Sequence, residues 1–543
     1  MTTTPRPYRN RTWAKWPERL ALLAVLAGAT WLRLDGVDFG LPALNDPDEP
    51  LFMMTAFDML RNGTPNPGWF GHPGTITLYC LALVIAAVGV VGMITGRFDG
   101  AEGFAAAVFA DPSIVFLPAR LFIVACGIAC VFLTYLIGRR LWGPRPGLIG
   151  AAILAVNALH VEYSQVIRTD VQASMFMLLC VFASLSIYDH GRRRDYVLAG
   201  LLVGLACATK WPAAAIALSP VFVGLARRDY RMTGLFGIIA VGALLAASPF
   251  LLLDHAAVMR DLTAEARPVH PGATGSGLFG NLMAYTTGPL LASFGAIGLV
   301  LAFAGSVGAA WRDRRWLLAV VPGFGLFVML VASQHLIWTR WLVPLLPFFA
   351  LSAAWAWDRA VRFLSPRGRV SALVSVAALI LLLAPMLGEA RTMATERRND
   401  TRQLASAWIR AHVPAASSIV VEHGALDLLD GPWTLRFPLG SAGCIDPREA
   451  LSSKISARQV EHRRSGRAVV DLGHIDPEQV ETCRADFIVL SHLSRYRADP
   501  ANYRAPLQRY RQLVSGGTLV ARIEPEPGES GGPEILIYRL RQP

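Results

Sequence analysis

The stretch PARLFIVACGIACVFLTYLIGRRLWGPR, residues 118–145, decides the fold of this chain. Apart from Arg120, it is apolar over residues 118–138, which is long enough to span a hydrocarbon core about 30 Å thick. Arg139 and Arg140 follow at once. Because positive side chains are concentrated on the cytoplasmic side of a membrane, this end of the segment is predicted to lie in the cytoplasm. The stretch therefore predicts a membrane-spanning helix that runs inward.

The composition of the whole chain agrees with a membrane protein. Of its 543 residues, 53% are hydrophobic and 17% are charged, and the mean hydropathy is +0.42. Soluble chains contain about 25% charged residues. The formal net charge of +12 does not indicate a nucleic-acid partner, because the basic residues form short clusters between apolar runs. This pattern is typical of cytoplasmic loops.

Residues 1–19 are basic, and the apolar run 20–32 follows them. This pattern is similar to a cleaved signal peptide, but Trp31 and Arg33 stand where a cleavage site needs small residues. We therefore predict a cytoplasmic N-terminal segment and a first spanning helix, which places the polar stretch from residue 35 onward outside the membrane.

The apolar segment 74–95 is also long enough to span, but the charge pattern argues against it. If it crossed the membrane, helix 118–138 would run outward, and Arg139 and Arg145 would lie outside, against the positive-inside rule. We therefore predict that residues 35–117 form one external loop, with 74–95 as a re-entrant or juxtamembrane helix.

The remaining apolar segments alternate across the membrane so that the arginine clusters between them lie inside. We predict further spanning helices near residues 147–160, 171–188, 196–209, 211–225, 232–253, 281–309, 316–333, 342–357 and 370–387. This makes about eleven spanning helices in a membrane domain of residues 20–388. Residues 254–280 are predicted to form a long external loop that contains His270.

Residues 389–543 have the composition of a soluble domain. We predict helices over 400–411 and 499–512, and short strands over 419–422, 468–472, 487–491, 518–523 and 535–539. This alternation indicates an external α/β domain after an all-α polytopic membrane domain. Cys444 and Cys483 can pair there if this side of the membrane is oxidising, although their spacing does not decide it.

The strongest chemical signal is the acidic stretch 45–50, NDPDEP, in the first external loop. Asp46, Asp48 and Glu49 come shortly after a membrane helix, where carboxylates are costly unless they have a function. Such a cluster can act as a general base, bind Mg or Mn, or hold an acceptor hydroxyl. The structural alternative is a solvated turn that caps a helix.

Further polar residues are predicted to lie on the same external face. They are His72, Arg120, Tyr163, Arg168, Asp170, Lys210, His270 and Arg340. Each has a structural explanation, because arginine and lysine snorkel to the interface and histidine is often hydrogen-bonded. Together with the acidic stretch, however, the cations suit a phosphate-bearing lipid headgroup held beside a carboxylate base.

Lys210 is unusual because lysine occurs only at Lys15, Lys210 and Lys454, whereas arginine supplies nearly all other positive charge. A compact ammonium that reaches a phosphate through a narrow gap between helices explains a lysine at this turn. Snorkelling to the membrane interface is the structural alternative.

An ordered set of short motifs connects these residues over about residues 15–390. The motifs are Asp48 with Glu49, His72 with Pro73, 118–121, 138–143, Tyr163 with Ser164, 168–170, 204–206, 209–212 and 340–347. This set resembles the polytopic type-C glycosyltransferases, particularly the protein-mannosyltransferase and lipid A aminoarabinose-transferase branch. The chain departs from that family at Gly74, where a proline is common, and at Gln165, where an arginine is common.

The resemblance implies transfer of a hexosyl or pentosyl group from a polyprenyl-phosphate carrier to a lipid, glycan or protein acceptor. The reaction is expected on the external face of a bacterial inner membrane. The acceptor base maps onto Asp48, with Glu49 beside it, and the second-loop aspartate maps onto Asp170. Cations that hold the donor phosphate map onto Arg120 and Lys210.

Around these residues we expect Arg168 and Arg340 to bind the donor phosphate as well. His72, Tyr163 and His270 are expected to line the substrate loops. If a divalent cation such as Mg or Mn is present, Asp48 and Glu49 are its predicted ligands, but the sequence does not require a metal.

Two other functional classes remain alternatives. A lipid transporter or flippase also has many spans, but such proteins place ionisable groups near the bilayer midplane and often contain repeated halves. A membrane-anchored binding module would act through residues 389–543, far from the acidic stretch in the sequence. Conversion of a radiolabelled polyprenyl-phosphate sugar would separate the three classes.

Overall fold

A set of apolar helices is followed along the chain by a sheet with flanking helices. The structure, a computed structural model, describes residues 16–71, 74–265, 270, 272–364, 370–422, 426–439, 443–446 and 471–540. In these coarse terms the predicted fold class, a helical polytopic part followed by a C-terminal sheet, is confirmed.

The first part is built from α-helices with a few 3-10 and π segments between them. The α-helices are α1 (Trp16–Leu34), α2 (Glu49–Arg61), α3 (Thr75–Ile94), α4 (Gly100–Ala110), α5 (Ser113–Trp142), α6 (Pro144–Val156), α7 (Ala158–Ser164), α8 (Asp170–His190), α9 (Arg193–Thr209), α10 (Leu218–Ala226), α11 (Tyr230–Ala247), α12 (Phe250–Leu253), α13 (His255–Glu265), α14 (Gly277–Tyr285), α15 (Leu291–Arg312), α16 (Arg314–Ala319), α17 (Val321–Ala332), α18 (Leu346–Leu364) and α19 (Val370–Arg398).

Among the described residues, seven helices are long and apolar enough to cross a membrane, or eight if the bent pair α6 and α7 forms one span. The chain is thus a multi-pass membrane protein, while the number of about eleven spans stays a prediction. Several predicted spans are interrupted: 211–225 begins as the 3-10 segment Trp211–Ala217, and 316–333 is divided into α16 and α17. Pro212 and Pro322 lie at these breaks, where proline removes a helical hydrogen-bond donor.

Helix α3 passes the same test of length and hydropathy, although the charge pattern predicts that it does not cross. Its first half packs against α2 and the start of α5, with Leu78, Leu81 and Ile85 in one apolar cluster with Phe52 and Val115. The re-entrant or juxtamembrane interpretation of α3 therefore stays a prediction.

The break between α6 and α7, a bend of 65°, positions one side of the site described below. Asn157 lies at the bend, and its side chain accepts a hydrogen bond from the His160 amide at 3.1 Å, which caps α7. Arg33 of α1, fully buried, donates to the carbonyls of Leu154 and Ala155 at 3.2 and 3.0 Å. These carbonyls lie at the end of α6, so the arginine satisfies acceptors that the bend leaves without helical partners.

Glycines allow the helices around this region to pack closely. A Cβ atom on Gly138 of α5 would lie 2.8 Å from the Cα of Gly147 in α6, and one on Gly305 of α15 would lie 1.9 Å from the carbonyl oxygen of Ser352 in α18. Small residues permit this approach of helix backbones in membrane proteins.

The C-terminal part contains a sheet of six strands in the order β3-β2-β1-β4-β6-β5. Strand β1 is parallel to β2 and β4, and the other pairs are antiparallel. The elements are α20 (Thr401–His412), β1 (Ser418–Val421), β2 (Thr434–Pro438), β3 (Cys444–Ile445), β4 (Phe487–Leu490), α21 (Leu493–Arg497), α22 (Arg504–Leu513), β5 (Thr518–Ile523) and β6 (Ile535–Arg539).

Most of the predicted elements in this part agree with the structure within a few residues. The exception among the predicted strands is 468–472: its first three residues lie outside the described part, and a 3-10 segment, Leu472–His474, begins where the strand was expected to end. Strands β2 and β3 were not predicted. Strand β3 has only two residues, which is too short for an alternating pattern to show.

Cys444 and Cys483 form a disulfide that joins β3 to the 3-10 segment Pro477–Cys483. Within the described chain the other cysteines, Cys80, Cys126, Cys130, Cys180 and Cys207, are free thiols in the helical part. The pairing that the sequence left open is therefore present in the structure.

Removing this disulfide is expected to destabilise the C-terminal domain. The bridge closes a loop with a sequence separation of 39 residues, and such bridges contribute about 2–4 kcal/mol to the free energy of unfolding. Replacing Cys444 and Cys483 together by serine should lower the melting temperature of the domain, measured by thermal unfolding of the full chain. The control is Cys207→Ser; equal melting temperatures for all three proteins would contradict the prediction.

Candidate functional site

The acidic stretch 45–50 forms the turn into α2. Asp48 is the N-cap residue of this helix, but its side chain makes no capping hydrogen bond. Instead, Asp46 Oδ1 accepts a hydrogen bond from the Asp48 amide at 2.9 Å. The structural alternative, a turn held by an aspartate, thus describes Asp46, whereas the Asp48 carboxylate is directed toward other parts of the chain.

The Asp48 carboxylate is held by two arginines from distant segments. Arg168, in the turn between α7 and α8, donates through Nη1 to Asp48 Oδ2. Arg340 Nη1 lies 3.1 Å from the same oxygen. The Asp48 side chain is 23% exposed and that of Arg340 is 14% exposed, so both keep partial access to solvent.

Arg168 also binds the second carboxylate of the stretch. Its Nη2 donates to both oxygens of Asp46, at 3.1 and 3.2 Å. The Nε atom of Arg168 is buried and has no hydrogen-bond partner among the residues that the structure describes. Arg168 is therefore a cation shared by Asp46 and Asp48.

A second ion pair lies next to this group. Lys210, in the extended link between α9 and the following 3-10 segment, donates to Oδ1 of Asp170, the first residue of α8. The side chains are 12% and 3% exposed. Lys210 is near enough to Arg340 and Arg168 for their charges to interact. The Lys210–Asp170 pair therefore forms one charged network with the two arginines and with the carboxylates of Asp46 and Asp48.

Aromatic residues border the network. Arg340 stacks on the Trp338 ring, with its guanidinium carbon 4.7 Å from the ring centroid, and the His270 ring packs edge-on against the same tryptophan at 5.0 Å. Tyr163 is near enough to Arg168 and Arg340 to interact with both electrostatically. The structure thus brings two of the three expected substrate-loop residues to the site. The third, His72, lies outside the described residues.

Glu49 and Arg120 form an ion pair with each other. Arg120 donates to both Glu49 oxygens, at 2.9 and 2.6 Å, and both side chains are fully buried. Arg120 Nη1 also donates to the carbonyls of Val37 and Phe39, both at 2.8 Å. Glu49 accepts a further hydrogen bond from the Ile167 amide at 2.9 Å. The described contacts of Arg120 and Glu49 are thus all within the protein, and their expected roles at the donor phosphate, the acceptor or a metal stay predictions. The Arg120–Glu49 ion pair connects the loop after α1 with α2, with α5 and with the segment before Arg168.

Gln165, where the family often has arginine, is a buried connector. Its Nε2 donates to the Asp35 carbonyl at 2.8 Å and to the Arg33 carbonyl at 3.2 Å. Its Oε1 accepts a hydrogen bond from Arg397 of α19 at 3.1 Å. Gln165 therefore joins the end of α1 to α19 and does not face the charged network as a ligand.

Sequence reasoning missed the contacts that the C-terminal part makes with the acidic stretch. Asn45 and Gln403 of α20 exchange hydrogen bonds at 2.7 and 2.8 Å, and Arg402 donates to the Asn45 carbonyl at 2.6 Å. The only signal in the sequence was the position of Asn45 next to Asp46, and nothing local connected it to residues more than 350 positions away.

Potential metal ligands cluster at one place in the described chain. The group that could hold an ion is Glu422, Asp471 and His492 in the C-terminal part, with ligand atoms within 4.8 Å of one another. The Glu422 carboxylate already accepts hydrogen bonds from the amides of Leu472, Ser491 and His492 and from the Tyr510 hydroxyl. Since a carboxylate offers about four acceptor positions, these bonds occupy Glu422.

Burial has the largest effect on Glu422 and raises the pKa of its carboxyl above the ordinary value. Asp471 is buried too, but hydrogen bonds from His474 and His492 outweigh burial and hold the pKa of this carboxyl well below its usual range. The cluster therefore orders the carboxyl ends of β1 and β4 as a structural network.

Part of the chain is similar in sequence to known proteins. Residues 115–253 match the family described as dolichyl-phosphate-mannose-protein mannosyltransferase. Over 134 residues the chain is 33% identical to the undecaprenyl phosphate-alpha-4-amino-4-deoxy-L-arabinose arabinosyl transferase of Pseudomonas aeruginosa strain UCBPP-PA14. This match covers 23% of the chain and 24% of that relative's length.

Solved structures share the fold over nearly the whole chain. ArnT from Cupriavidus metallidurans bound to undecaprenyl phosphate has a TM-score of 0.51 at 15% identity, covering 97% of this chain and 98% of that one. The apo oligosaccharyltransferase of Archaeoglobus fulgidus has a TM-score of 0.53 at 12% identity, covering 96% and 76% of the two chains. At these identities the likeness concerns the fold.

Proposed function

We propose that this chain, which has the fold of the polytopic type-C glycosyltransferases as its sequence indicated, transfers a sugar from a polyprenyl-phosphate donor to a lipid, glycan or protein acceptor. The observation that supports this most is the convergence of Arg168, Lys210 and Arg340 on Asp48 and Asp170. Three cations beside two carboxylates provide sites for an anionic leaving group and for a base within one network.

In the proposed reaction, the acceptor oxygen or nitrogen forms a bond to the anomeric carbon of the sugar while the bond from that carbon to the phosphate oxygen breaks. Asp48 takes the acceptor proton as general base. The phosphate leaves with its negative charge balanced by Lys210, Arg168 and Arg340. Tyr163 and His270 border the substrate loops.

The ion pairs also suggest how the donor enters. Arg340 and Arg168 bind Asp48, and Lys210 binds Asp170, so an arriving phosphate competes with these carboxylates for the cations. When it draws Arg340 away, the Asp48 carboxylate exchanges this contact for a hydrogen bond from the acceptor group. Donor binding thus prepares the base.

A polyprenyl-phosphate donor is supported by the relatives. The Cupriavidus protein was solved with undecaprenyl phosphate, and the Pseudomonas relative is named for a sugar on the same carrier. A likeness limited to 24% of the relative's length does not transfer its sugar or acceptor. We therefore propose the carrier chemistry and leave the moved group as hexosyl or pentosyl.

We propose that the site and the C-terminal domain, residues 389–543, lie on the external face of the bacterial plasma membrane. The Cys444–Cys483 disulfide supports this placement, because disulfides persist in oxidising compartments. The contact between α20 and the acidic stretch supports one common side for the C-terminal domain and the first loop.

Topology can be tested with single cysteines in a chain whose free thiols have been replaced. A cysteine at Asn502 should react with a membrane-impermeant maleimide from outside, whereas cysteines at Arg145 and Arg193 should react only from inside; all three positions are exposed. A cysteine at Asp99, which is also exposed, tests whether α3 crosses the membrane. Labelling from outside supports a re-entrant or juxtamembrane helix, whereas labelling from inside means that α3 is a spanning helix. Labelling of Arg145→Cys from outside would contradict the charge argument.

In this proposal a divalent cation acts together with the arginines and does not replace them. Asp48, one of the two ligands that the sequence predicts, supplies a hard oxygen of the kind that Mg and Mn prefer. Transfer measured after treatment with EDTA, with and without added Mg or Mn, tests whether the reaction depends on one.

The decisive experiment incubates the purified chain in lipid with a radiolabelled polyprenyl-phosphate sugar and a membrane extract as acceptor. Release of the free lipid phosphate together with a labelled acceptor would support the transferase. Movement of the labelled lipid across the bilayer without cleavage would favour a flippase and overturn the proposal.

A further inference from the structure

We infer that two residues of α20 in the C-terminal domain, Gln403 and Arg402, are positioning residues for sugar transfer: they hold Asn45 and thereby orient the carboxylates of Asp46 and Asp48. The inference rests on the proposed function, because the oriented groups include its base. It gives the C-terminal domain a defined task at the site.

The contact consists of three hydrogen bonds to one residue. Asn45 Nδ2 donates to Gln403 Oε1 at 2.7 Å, and Gln403 Nε2 donates back to Asn45 Oδ1 at 2.8 Å. Arg402 Nη1 donates to the Asn45 carbonyl at 2.6 Å. Asn45 is 2% exposed, so both the side chain and the carbonyl depend on α20 for partners that water does not supply.

Asn45 is also confined from the opposite side. Gly40 has a φ of +61°, and a Cβ atom there would lie 2.3 Å from Asn45 Cγ. The amide therefore lies against the backbone of the first loop with no space to move toward it. Asp46 follows directly in the chain, and its carboxylate accepts the Asp48 amide, so a displacement of Asn45 is passed to both aspartates.

Helix α20 is a rigid support for this contact. Asp400 caps the helix and binds the Arg402 guanidinium at 2.8 and 2.7 Å. Thr401 binds the segment before β6 through its amide, to the Gly531 carbonyl at 2.9 Å, and through its hydroxyl, to the Pro533 carbonyl at 2.7 Å. The orientation of the acidic stretch is therefore coupled to the folded C-terminal sheet.

The Asn45–Gln403 pair carries no charge, which makes it a sensitive test of geometry. Replacing Gln403 leaves the cations and carboxylates of the network in place, so the donor phosphate meets the same ligands. A displacement of about 1 Å at a reacting group can cost roughly a hundredfold in rate. The expected signature is a lower kcat with the donor KM preserved.

The test compares wild type with Asn45→Ala, Gln403→Ala and their combination, using the full chain in lipid nanodiscs. We expect kcat to fall roughly tenfold to a hundredfold in either single variant and no further in the combination, with the donor KM changed less than about twofold. Amide hydrogen exchange over residues 45–49 should become faster. Gln403→Glu has nearly the same shape: it still accepts a hydrogen bond from Asn45 Nδ2 but no longer donates one to Asn45 Oδ1. This variant replaces Gln403→Ala in the test if the alanine variant does not fold.

The matched control is Arg410→Ala on the same helix. Arg410 binds Asp430 at 2.9 Å, and also Asp427, within the C-terminal domain and makes no contact with the first loop in the described chain. It should leave kcat and the exchange of residues 45–49 unchanged.

Unchanged exchange at residues 45–49 in the Asn45 and Gln403 variants would overturn the inference, and so would faster exchange without loss of kcat. A wild-type chain that transfers no sugar would overturn the proposed function instead. The exchange measurement would still show whether α20 holds the acidic stretch.

Discussion

Asp48→Asn is expected to abolish sugar transfer while leaving the protein folded and inserted in the membrane. Asparagine keeps nearly the same shape and still accepts a hydrogen bond from Arg168, but it cannot take a proton from the acceptor. Loss of a general base lowers rates by about 10²–10⁴. Steady-state turnover of a radiolabelled polyprenyl-phosphate sugar, normalised to folded protein, measures the effect.

The matched control for this change is Asp46→Asn, two residues earlier in the same turn and with the same loss of charge. Asp46 binds only the Arg168 side of the network and accepts the Asp48 amide, which an asparagine side-chain oxygen also does. Its loss of activity should therefore be milder. Near-normal turnover in Asp48→Asn, or a larger defect in Asp46→Asn, would remove Asp48 as the base.

Lys210→Met is expected to raise the apparent KM for the lipid donor about tenfold or more. A hydrogen bond to a charged group contributes about 1.5–3 kcal/mol, and methionine removes it while keeping an unbranched side chain that is one atom shorter. Lys210→Arg should recover donor binding only in part, because a planar guanidinium does not occupy the space of a compact ammonium in contact with Asp170.

The structure adds a second consequence of Lys210→Met. The Lys210→Met substitution leaves the Asp170 carboxylate, which is 3% exposed, without its lysine partner. Removing one partner of a buried ion pair lowers the free energy of unfolding by about 3–5 kcal/mol. The double variant Lys210→Met with Asp170→Asn should restore thermal stability. If it does so while the donor KM stays high, the lysine acts on the donor rather than on the fold. Equal donor KM in wild type, Met and Arg variants would mean that Lys210 does not bind the donor and serves only in its ion pair with Asp170.

Local patterns were sufficient for much of the site. Asp48, Asp170, Lys210 and Arg340 were named because charged residues next to apolar helices are costly without a function, and these residues share one network in the structure. The same reasoning did not predict that Arg120 pairs with Glu49. Its partner Glu49 is 71 positions away, and no local pattern distinguishes an arginine buried in an ion pair from one that faces a ligand.

The sequence by itself determined that the chain is a multi-pass helical membrane protein with a C-terminal α/β part, because hydrophobic length, arginine clusters and strand patterns are local properties of the chain. Tertiary structure alone decided which polar groups meet: Arg33 at the α6 bend, Glu49 with Arg120, and Asn45 with Gln403 across 358 positions. Such contacts depend on how distant segments pack. The sequence alone does not distinguish a polar residue whose hydrogen bonds are all made within the fold from one that binds a substrate.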